Sequence, residues 1–372
     1  MKILALEPFY GGSHKSWLDS LVQYSRHDYK LLTMPPRWWK YRMYAGAITL
    51  AKRALEDSFA PDIILASDML DLSAFLSLTR GRFSGIPALL YFHENQFAYP
   101  QNTDYNNRFD NHYKFINYTS ALCADKIFFN SKYNRDTFFE GLENMLRSFP
   151  EYRNMDTIDK LQKKSSVLPL GIDFKRFEKF GNADTNDPAV ILWNHRWEHD
   201  KNPEDFFNAL KILKNKEIDF RLIICGQSYQ ISPTCFAEAE KEFKKEILHM
   251  GTVKNKSDYI RLLRQSDIIF VTSNHDFFGI SVAEAIYCGA FPLLPNRVAY
   301  PELFKKSRFP DCYYESNGIE KIIETVNNIQ TLKEKWILKL QKEVFRFDWS
   351  KMIDVYDETF EKQLKPFSIR LL

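Results

Sequence analysis

The stretch "DIIFVTSNHDFFGISVAEAIYCGAFPLLP", residues 267–295, sets two short apolar runs on either side of a glycine-bearing loop and a small-residue helical segment. Apolar runs of this length, bounded by turns and separated by a helix, read as neighbouring strands of a parallel sheet buried on both faces. The same unit recurs upstream as "AVILWN", helix "PEDFFNALKILKNK", "FRLIICG", helix "FAEAEKEFKKE", "ILHMG" and helix "KSDYIRLLRQ". It also fills the first part of the chain, where "KILALE", "YKLLTM", "DIILAS", "ALLYFH" and "DKIFFN" alternate with helical stretches. Between the two series, residues 150–187 hold the polar "SFPEYRNMDTIDKLQKK", one more strand and turn in "SSVLPLGIDFKRFEKF", and the linker "GNADTNDP". The expected fold is α/β, with two doubly wound Rossmann-like domains facing across a cleft, where the C-terminal ends of parallel strands hold ligands. Its expected parts are residues 1–180, residues 181–345, and an amphipathic tail, 346–372, crossing back to the first domain.

At 372 residues the chain is long enough for two cores, and 45% hydrophobic residues supply them. The net charge of +3 excludes a global polycation, so any nucleic-acid contact needs a local patch. Five cysteines, Cys123, Cys225, Cys235, Cys288 and Cys312, are scattered without metal-ligand spacing and read as reduced thiols of a cytoplasmic protein. The first apolar run stops at Glu7 and Pro8, too early for a signal peptide, and no run nears the ~20 residues of a membrane span.

Four strand ends carry candidate chemistry. Gly11 and Gly12 of "GGSHK" allow a tight turn and close backbone approach, with Ser13 as a cap for the next helix; a plain strand-to-helix turn has the same sequence. His93, Glu94 and Asn95 of "YFHENQ" end a buried strand, where they line a ligand site or satisfy one another. Arg196 and Lys201 of "NHRWEHDKNPEDFF" stand before a helix start, a pairing that suits a diphosphate and equally a solvated loop. In "HDFFGISVAEA", Gly279 frees the backbone so that consecutive amides can point at an anion. Glu284 falls about one and a half turns into the helix. There it faces ligand hydroxyls, as does Asp276 in the loop; the plainer alternative is a capping acid and a helix-surface glutamate.

"RWWKYR" interleaves Arg37, Lys40 and Arg42 with Trp38, Trp39 and Tyr41, a mixture suited to phosphate contact and base stacking. A membrane-surface segment or an aromatic core staple has the same composition. Arg108, Lys114, Lys132, Arg135, Lys163 and Lys164 add basic character to the same domain.

Two doubly wound domains, a glycine-rich first turn, an Arg…Lys pair and an acid-x7-Glu motif resemble the retaining GT-B glycosyltransferases of family 4. "EPFYGGSHK", "YFHENQ", "FFNSKYN", "HRWEHDKNPEDFF" and "FFGISVAEAIYCGAFPLLP" are similar to one branch, the tRNA-queuosine α-mannosyltransferases, from Lys2 through the tail. The resemblance implies mannose transfer from GDP-mannose to the cyclopentenediol of queuosine in a tRNA anticodon. It implies front-face displacement with no metal, no cofactor and no obligate protein partner. By the same resemblance Phe277, Phe278, Gly279 and Ile280 cradle the donor, Glu284 holds ribose hydroxyls and Asp276 sugar hydroxyls. Arg196 and Lys201 stabilise the leaving diphosphate, Gly11 and Gly12 give it room, and His93 lies near the reacting sugar. Arg37, Trp38, Trp39, Lys40, Arg42 and Arg108 are the candidate tRNA contacts. Asp276 stands where the family usually has glutamate; its carboxylate is one methylene shorter, which bears on donor identity. The rival readings are a transferase acting on a lipid or polysaccharide acceptor, and a non-catalytic RNA-binding protein of the same fold.

Overall fold

The computed structural model describes residues 1–99, 111–178, 186–228, 232–316 and 318–364. Two compact units divide the chain, the first comprising Met1–Ile172 with Trp349 onward and the second Asp173–Asp348.

The first unit is a parallel sheet of β1 (Lys2–Glu7), β2 (Asp28–Thr33), β3 (Ile63–Ser67), β4 (Ala88–Phe92), β5 (Lys126–Phe129) and β6 (Ser165–Val167). Their order is β2-β1-β3-β4-β5-β6, so chain direction across the sheet reverses between β1 and β3. That reversal opens a crevice at the strand C-termini, the usual ligand position in such sheets. β3 and β4 are buried along their whole length, as their apolar runs require, with Ser67 buried at the end of β3. β6 is only three residues long, since Pro169 follows and has no amide to extend the ladder.

The amphipathic tail forms a helix, Trp349–Glu361, that belongs to the first unit. Its Tyr356 hydroxyl accepts from Trp17 Nε1 at 3.0 Å and donates to the Pro169 carbonyl at 2.8 Å. A Cβ on Gly171 would lie 2.4 Å from the Trp349 indole, so only glycine lets the helix begin here.

The second unit repeats the plan with β7 (Val190–Asn194), β8 (Arg221–Cys225), β9 (Ile247–Gly251), β10 (Ile268–Phe270), β11 (Phe291–Pro295) and β12 (Tyr313–Tyr314). Its order, β12-β11-β10-β7-β8-β9, places the reversal between β10 and β7. The run "DIIFVTS" yields a shorter strand than its apolar length predicts. The Arg297 guanidinium takes the carbonyls of Thr272 and Ser273, at 2.7 and 3.0 Å, and draws the chain out of the ladder. The α/β class and the two parallel sheets expected from the alternating runs are both present. No helix among the described residues is long and apolar enough to cross a membrane.

Candidate active site

The loops leaving β7 and β10 meet at the reversal point of the second sheet. Asn274 donates its amide to the Asp200 carbonyl at 2.8 Å, and the Thr272 hydroxyl donates to the Asn202 carbonyl at 2.8 Å. Lys201 closes the junction. Its buried ammonium donates to the His275 carbonyl at 2.5 Å and lies 3.1 Å from Asp200 Oδ2. Asn202 follows with φ of 52°, one of the few non-glycine types that tolerate the left-handed region, and Pro203 then opens the helix Pro203–Asn215.

Asp276 lies in the same pocket. Its Oδ1 accepts the amides of Phe278 and Gly279 at 3.1 and 2.9 Å, and its Oδ2 accepts from the Tyr300 hydroxyl at 3.2 Å. Burial opposes charge on this carboxyl, but Lys201, His195, the Phe278 amide and His275 together hold it below the ordinary carboxylate value. Two of the amides expected to face an anion are therefore turned onto the Asp276 carboxylate. The helix Ile280–Tyr287 starts one residue later, and its first-turn amides are the ones helix geometry leaves without intrahelical acceptors. Gly279 has φ of 92°, and a Cβ there would press on Tyr300 at 3.2 Å, so the turn needs glycine twice over.

Two histidines that carry no weight in the sequence reading belong to this pocket. Burial, then Lys201, lowers His195 and His275 to about 4, so both rings are neutral at neutral pH. His195 Nε2 is buried with no hydrogen-bond partner among the described residues, a costly state for a polar atom that a ligand would relieve. The backbone of His195 is equally constrained, because a Cβ on Gly226 would fall 1.9 Å from its carbonyl oxygen. Arg196 is half-exposed, with Nη2 3.1 Å from Glu198 Oε2, yet it contributes to lowering both histidines.

Glu284 is buried rather than on the helix surface. One oxygen accepts from Arg176 and the other from the Tyr259 hydroxyl at 2.7 Å. Tyr259 in turn accepts from Asn194 Nδ2 at 2.8 Å, tying the end of β7 to this acid. Burial, then Glu284, raises the Tyr259 phenol well above its ordinary value, so it stays a donor. Arg176 stands 108 residues before Glu284 in a short 3-10 turn, Phe174–Phe177, which no spacing rule connects to the acid.

In the first unit, the helix Gly12–Tyr24 starts at the turn after β1. Gly11 is extended and leaves room for Pro36, which a Cβ would meet at 2.4 Å; Gly12 has φ of 53° with open space beside it. His93 follows β4 and is buried, its amide donating to Asp68 Oδ1 at 2.8 Å and its carbonyl accepting from Asn130 Nδ2 at 2.8 Å. Neither His93 ring nitrogen has a partner among the described residues. Asn95 serves the fold instead, donating to Asn134 and capping its own turn through the amides of Phe97 and Ala98.

"RWWKYR" straddles the start of the helix Trp39–Glu56. Trp39 packs inward, 5.1 Å from the Tyr113 ring, with Lys40 above both rings. Trp38 points outward, 75% exposed, on a backbone with φ of 57°. Arg37 and Lys40 are exposed, Arg42 is half-buried and bonds the Pro35 carbonyl, and Tyr41, Tyr44 and Ile48 continue an exposed apolar face. Arg108 lies outside the described residues.

Residues 2–172 match the family described as tRNA-queuosine alpha-mannosyltransferase N-terminal, and residues 174–350 the family Glycosyl transferases group 1. The chain is 33% identical over 328 residues to a tRNA-queuosine alpha-mannosyltransferase of Drosophila melanogaster, covering 86% of this chain and 85% of the relative. It is 25% identical over 149 residues, 38% of this chain and 37% of the relative, to a GDP-mannose:cellobiosyl-diphosphopolyprenol alpha-mannosyltransferase of Xanthomonas oryzae. Among solved structures it is similar to Anabaena HepE bound to UDP, at 14% identity, 97% and 100% coverage and TM-score 0.68. It is also similar to sucrose-phosphate synthase of Thermosynechococcus elongatus, at 12% identity, 98% and 99% coverage and TM-score 0.71. These likenesses give the GT-B fold. The chain belongs to the tRNA-queuosine α-mannosyltransferase family, its first part carrying that family's own N-terminal domain and its second the group 1 glycosyltransferase domain.

Proposed function

We propose that the protein transfers mannose from GDP-mannose to the cyclopentenediol of queuosine in a tRNA anticodon, with retention at the sugar. The observation that carries this reading is the match of residues 2–172 to the N-terminal domain specific to queuosine mannosyltransferases, joined to a relative of that name along most of the chain. Passage of label from radiolabelled GDP-mannose into tRNA tests it.

In this reading Lys201 and Arg196 take the charge that develops on the leaving diphosphate, as fixed donors that need no reorganisation and no metal. Lys201 is held ready for that task by the His275 carbonyl and Asp200. Asp276 accepts sugar hydroxyls with the lone pairs its own turn leaves open, and the first-turn amides of the helix from Ile280, rather than the Phe278 and Gly279 amides that Asp276 already holds, receive the phosphates. Glu284 accepts ribose hydroxyls beside Tyr259. Gly11 and Gly12 keep the first turn bare of side chains, and His93 faces a substrate hydroxyl. The acceptor base leaves the anticodon stack to reach the site, as single-stranded RNA recognition requires. The setting is cytoplasmic, and the partners are queuosine-containing tRNA and the sugar nucleotide.

The outward Trp38 with Arg37, Lys40 and Arg42 is the candidate RNA surface. Strain in the αL region for a bulky residue costs of order 1–3 kcal/mol and is kept where it serves a purpose. Changing Arg37, Lys40 and Arg42 together to alanine is expected to weaken tRNA binding and to flatten its dependence on log salt by about 0.7–0.9 for each phosphate no longer neutralised. Filter binding across a salt series reads both. An unchanged slope moves the RNA surface elsewhere, and vesicle binding abolished in the same variant favours a lipid-linked acceptor.

A further inference from the structure

Five ionisable side chains, Glu7, His14, Asp68, His93 and Glu94, gather at the C-terminal ends of β1, β3 and β4, and the proposed chemistry uses only His93. Glu7 ends β1 and is buried; its Oε1 accepts the Phe9 amide at 2.8 Å, and its Oε2 lies 3.0 Å from His14 Nδ1. His14 stands on the first turn of the helix Gly12–Tyr24, one residue beyond the two glycines, after Ser13. Its ring lies over the His93 ring, with centroids 4.2 Å apart and planes 35° apart. Trp17 and Tyr91 close the other sides of His93, at 4.7 and 4.9 Å.

We propose that Glu7 and His14 are positioning residues for His93: Glu7 clamps the His14 ring, and that ring braces His93 so that its unpartnered ring nitrogens meet a ligand hydroxyl. The proposal rests on reading His93 as the substrate-facing group.

The charges around the pair support the arrangement. Glu7 faces His14 from β1, Asp68 from the loop after β3, and His93 and Glu94 from the loop after β4. Burial opposes charge on His14, yet Glu7, then Asp68 and Glu94, raise it to about 9. Burial and the neighbouring His14 push His93 well below its ordinary value. One ring is therefore cationic and the other neutral, and a neutral imidazole keeps a lone pair for a hydroxyl proton. Asp68 holds the His93 backbone from beneath.

The same three donors, Glu7, His14 and His93, lie within 4.8 Å of one another and invite a metal reading. The geometry speaks against it. Two imidazoles sharing a zinc ion at about 2.0–2.1 Å aim their nitrogens at one centre. Here the His14 ring overlies the His93 ring, tilted 35° from parallel at 4.2 Å between centroids, Glu7 Oε1 accepts the Phe9 amide, and Glu7 Oε2 is taken up by His14 Nδ1.

The test is Glu7→Gln, which keeps shape and removes charge. Mannosyl transfer is expected to lose about 100-fold in kcat, with KM for donor and tRNA within about twofold. The alkaline limb of the rate profile is expected to move from near 9 toward the ordinary histidine value, because His14 no longer has its anion. His14→Gln is expected to lose the same activity and the limb itself, and it carries the test if Glu7→Gln does not fold. Histidine ring NMR of the wild type reads the pair without turnover: His14 titrating near 9 beside a neutral His93 is the expected pattern. Unchanged kcat with an unmoved limb overturns the proposal, as does one equivalent of zinc retained by the wild type and lost in His93→Gln. A wild type that transfers nothing from GDP-mannose removes the mannosyl reading instead; the NMR titration then decides the pair, and His14 titrating at its ordinary value overturns it.

Discussion

Lys201→Ala is expected to slow mannosyl transfer by about 10²–10³-fold, the usual loss when one preorganised donor to a developing anion is removed, and to leave tRNA affinity within about twofold. The ammonium is buried, and it bridges the loops after β7 and β10 through the His275 carbonyl and Asp200. Two effects compete on removing it. Loss of transition-state charge lowers kcat at full folding. Loss of a buried cation beside Asp276 and Asp200 leaves these carboxylates poorly paired, at up to about 3–5 kcal/mol for a broken buried pair. Thermal melting separates them, because the kinetic loss persists at temperatures where the variant is fully folded. The Asp276 carboxyl, freed of Lys201, is expected to rise toward its ordinary value. Wild-type turnover in a folded Lys201→Ala protein removes the diphosphate role.

Glu284→Gln is expected to weaken GDP-mannose binding by about 10- to 100-fold, the range of about 1.5–3 kcal/mol for hydrogen bonds to a charged group. The residue also holds Arg176 and Tyr259, so stability falls too. Arg176 keeps a quarter of its side chain in solvent, so the cost stays below the figure for a fully buried pair, at about 2 kcal/mol. Calorimetric titration with GDP-mannose beside a melting curve reads both effects. Lower stability with donor affinity unchanged makes Glu284 a purely structural acid.

Much of this architecture was legible in the sequence because it rests on local pattern. "KILALE" and "ILHMG" coincide with β1 and β9: in β1 the apolar Ile3–Leu6 are buried on both faces, and the partly exposed edge strand β9 stops at Gly251, which has φ of 120°. The short β10 was not legible, because its end is decided by Arg297, beyond the next strand. The site divides the same way. Gly279 and Asp276 stand in one loop, and an acid three residues before a helix-opening glycine reads as a cap or a ligand group; the structure shows the cap hydrogen bonds. Arg176, Tyr259 and Glu284 come from three separate segments that only the folded second unit brings together. Glu7 and His14 had a sequence signal, an acid ending a buried strand and a histidine just after two glycines, but Glu7 reads there as the residue that stops the strand.

The most direct test uses purified protein, radiolabelled GDP-mannose and two matched tRNA pools, one carrying queuosine and one lacking it. Label on the queuosine-containing pool alone is the expected result, and it fixes donor, acceptor and reaction together. Label on both pools alike, or on neither while GDP-mannose still binds, contradicts queuosine as the acceptor.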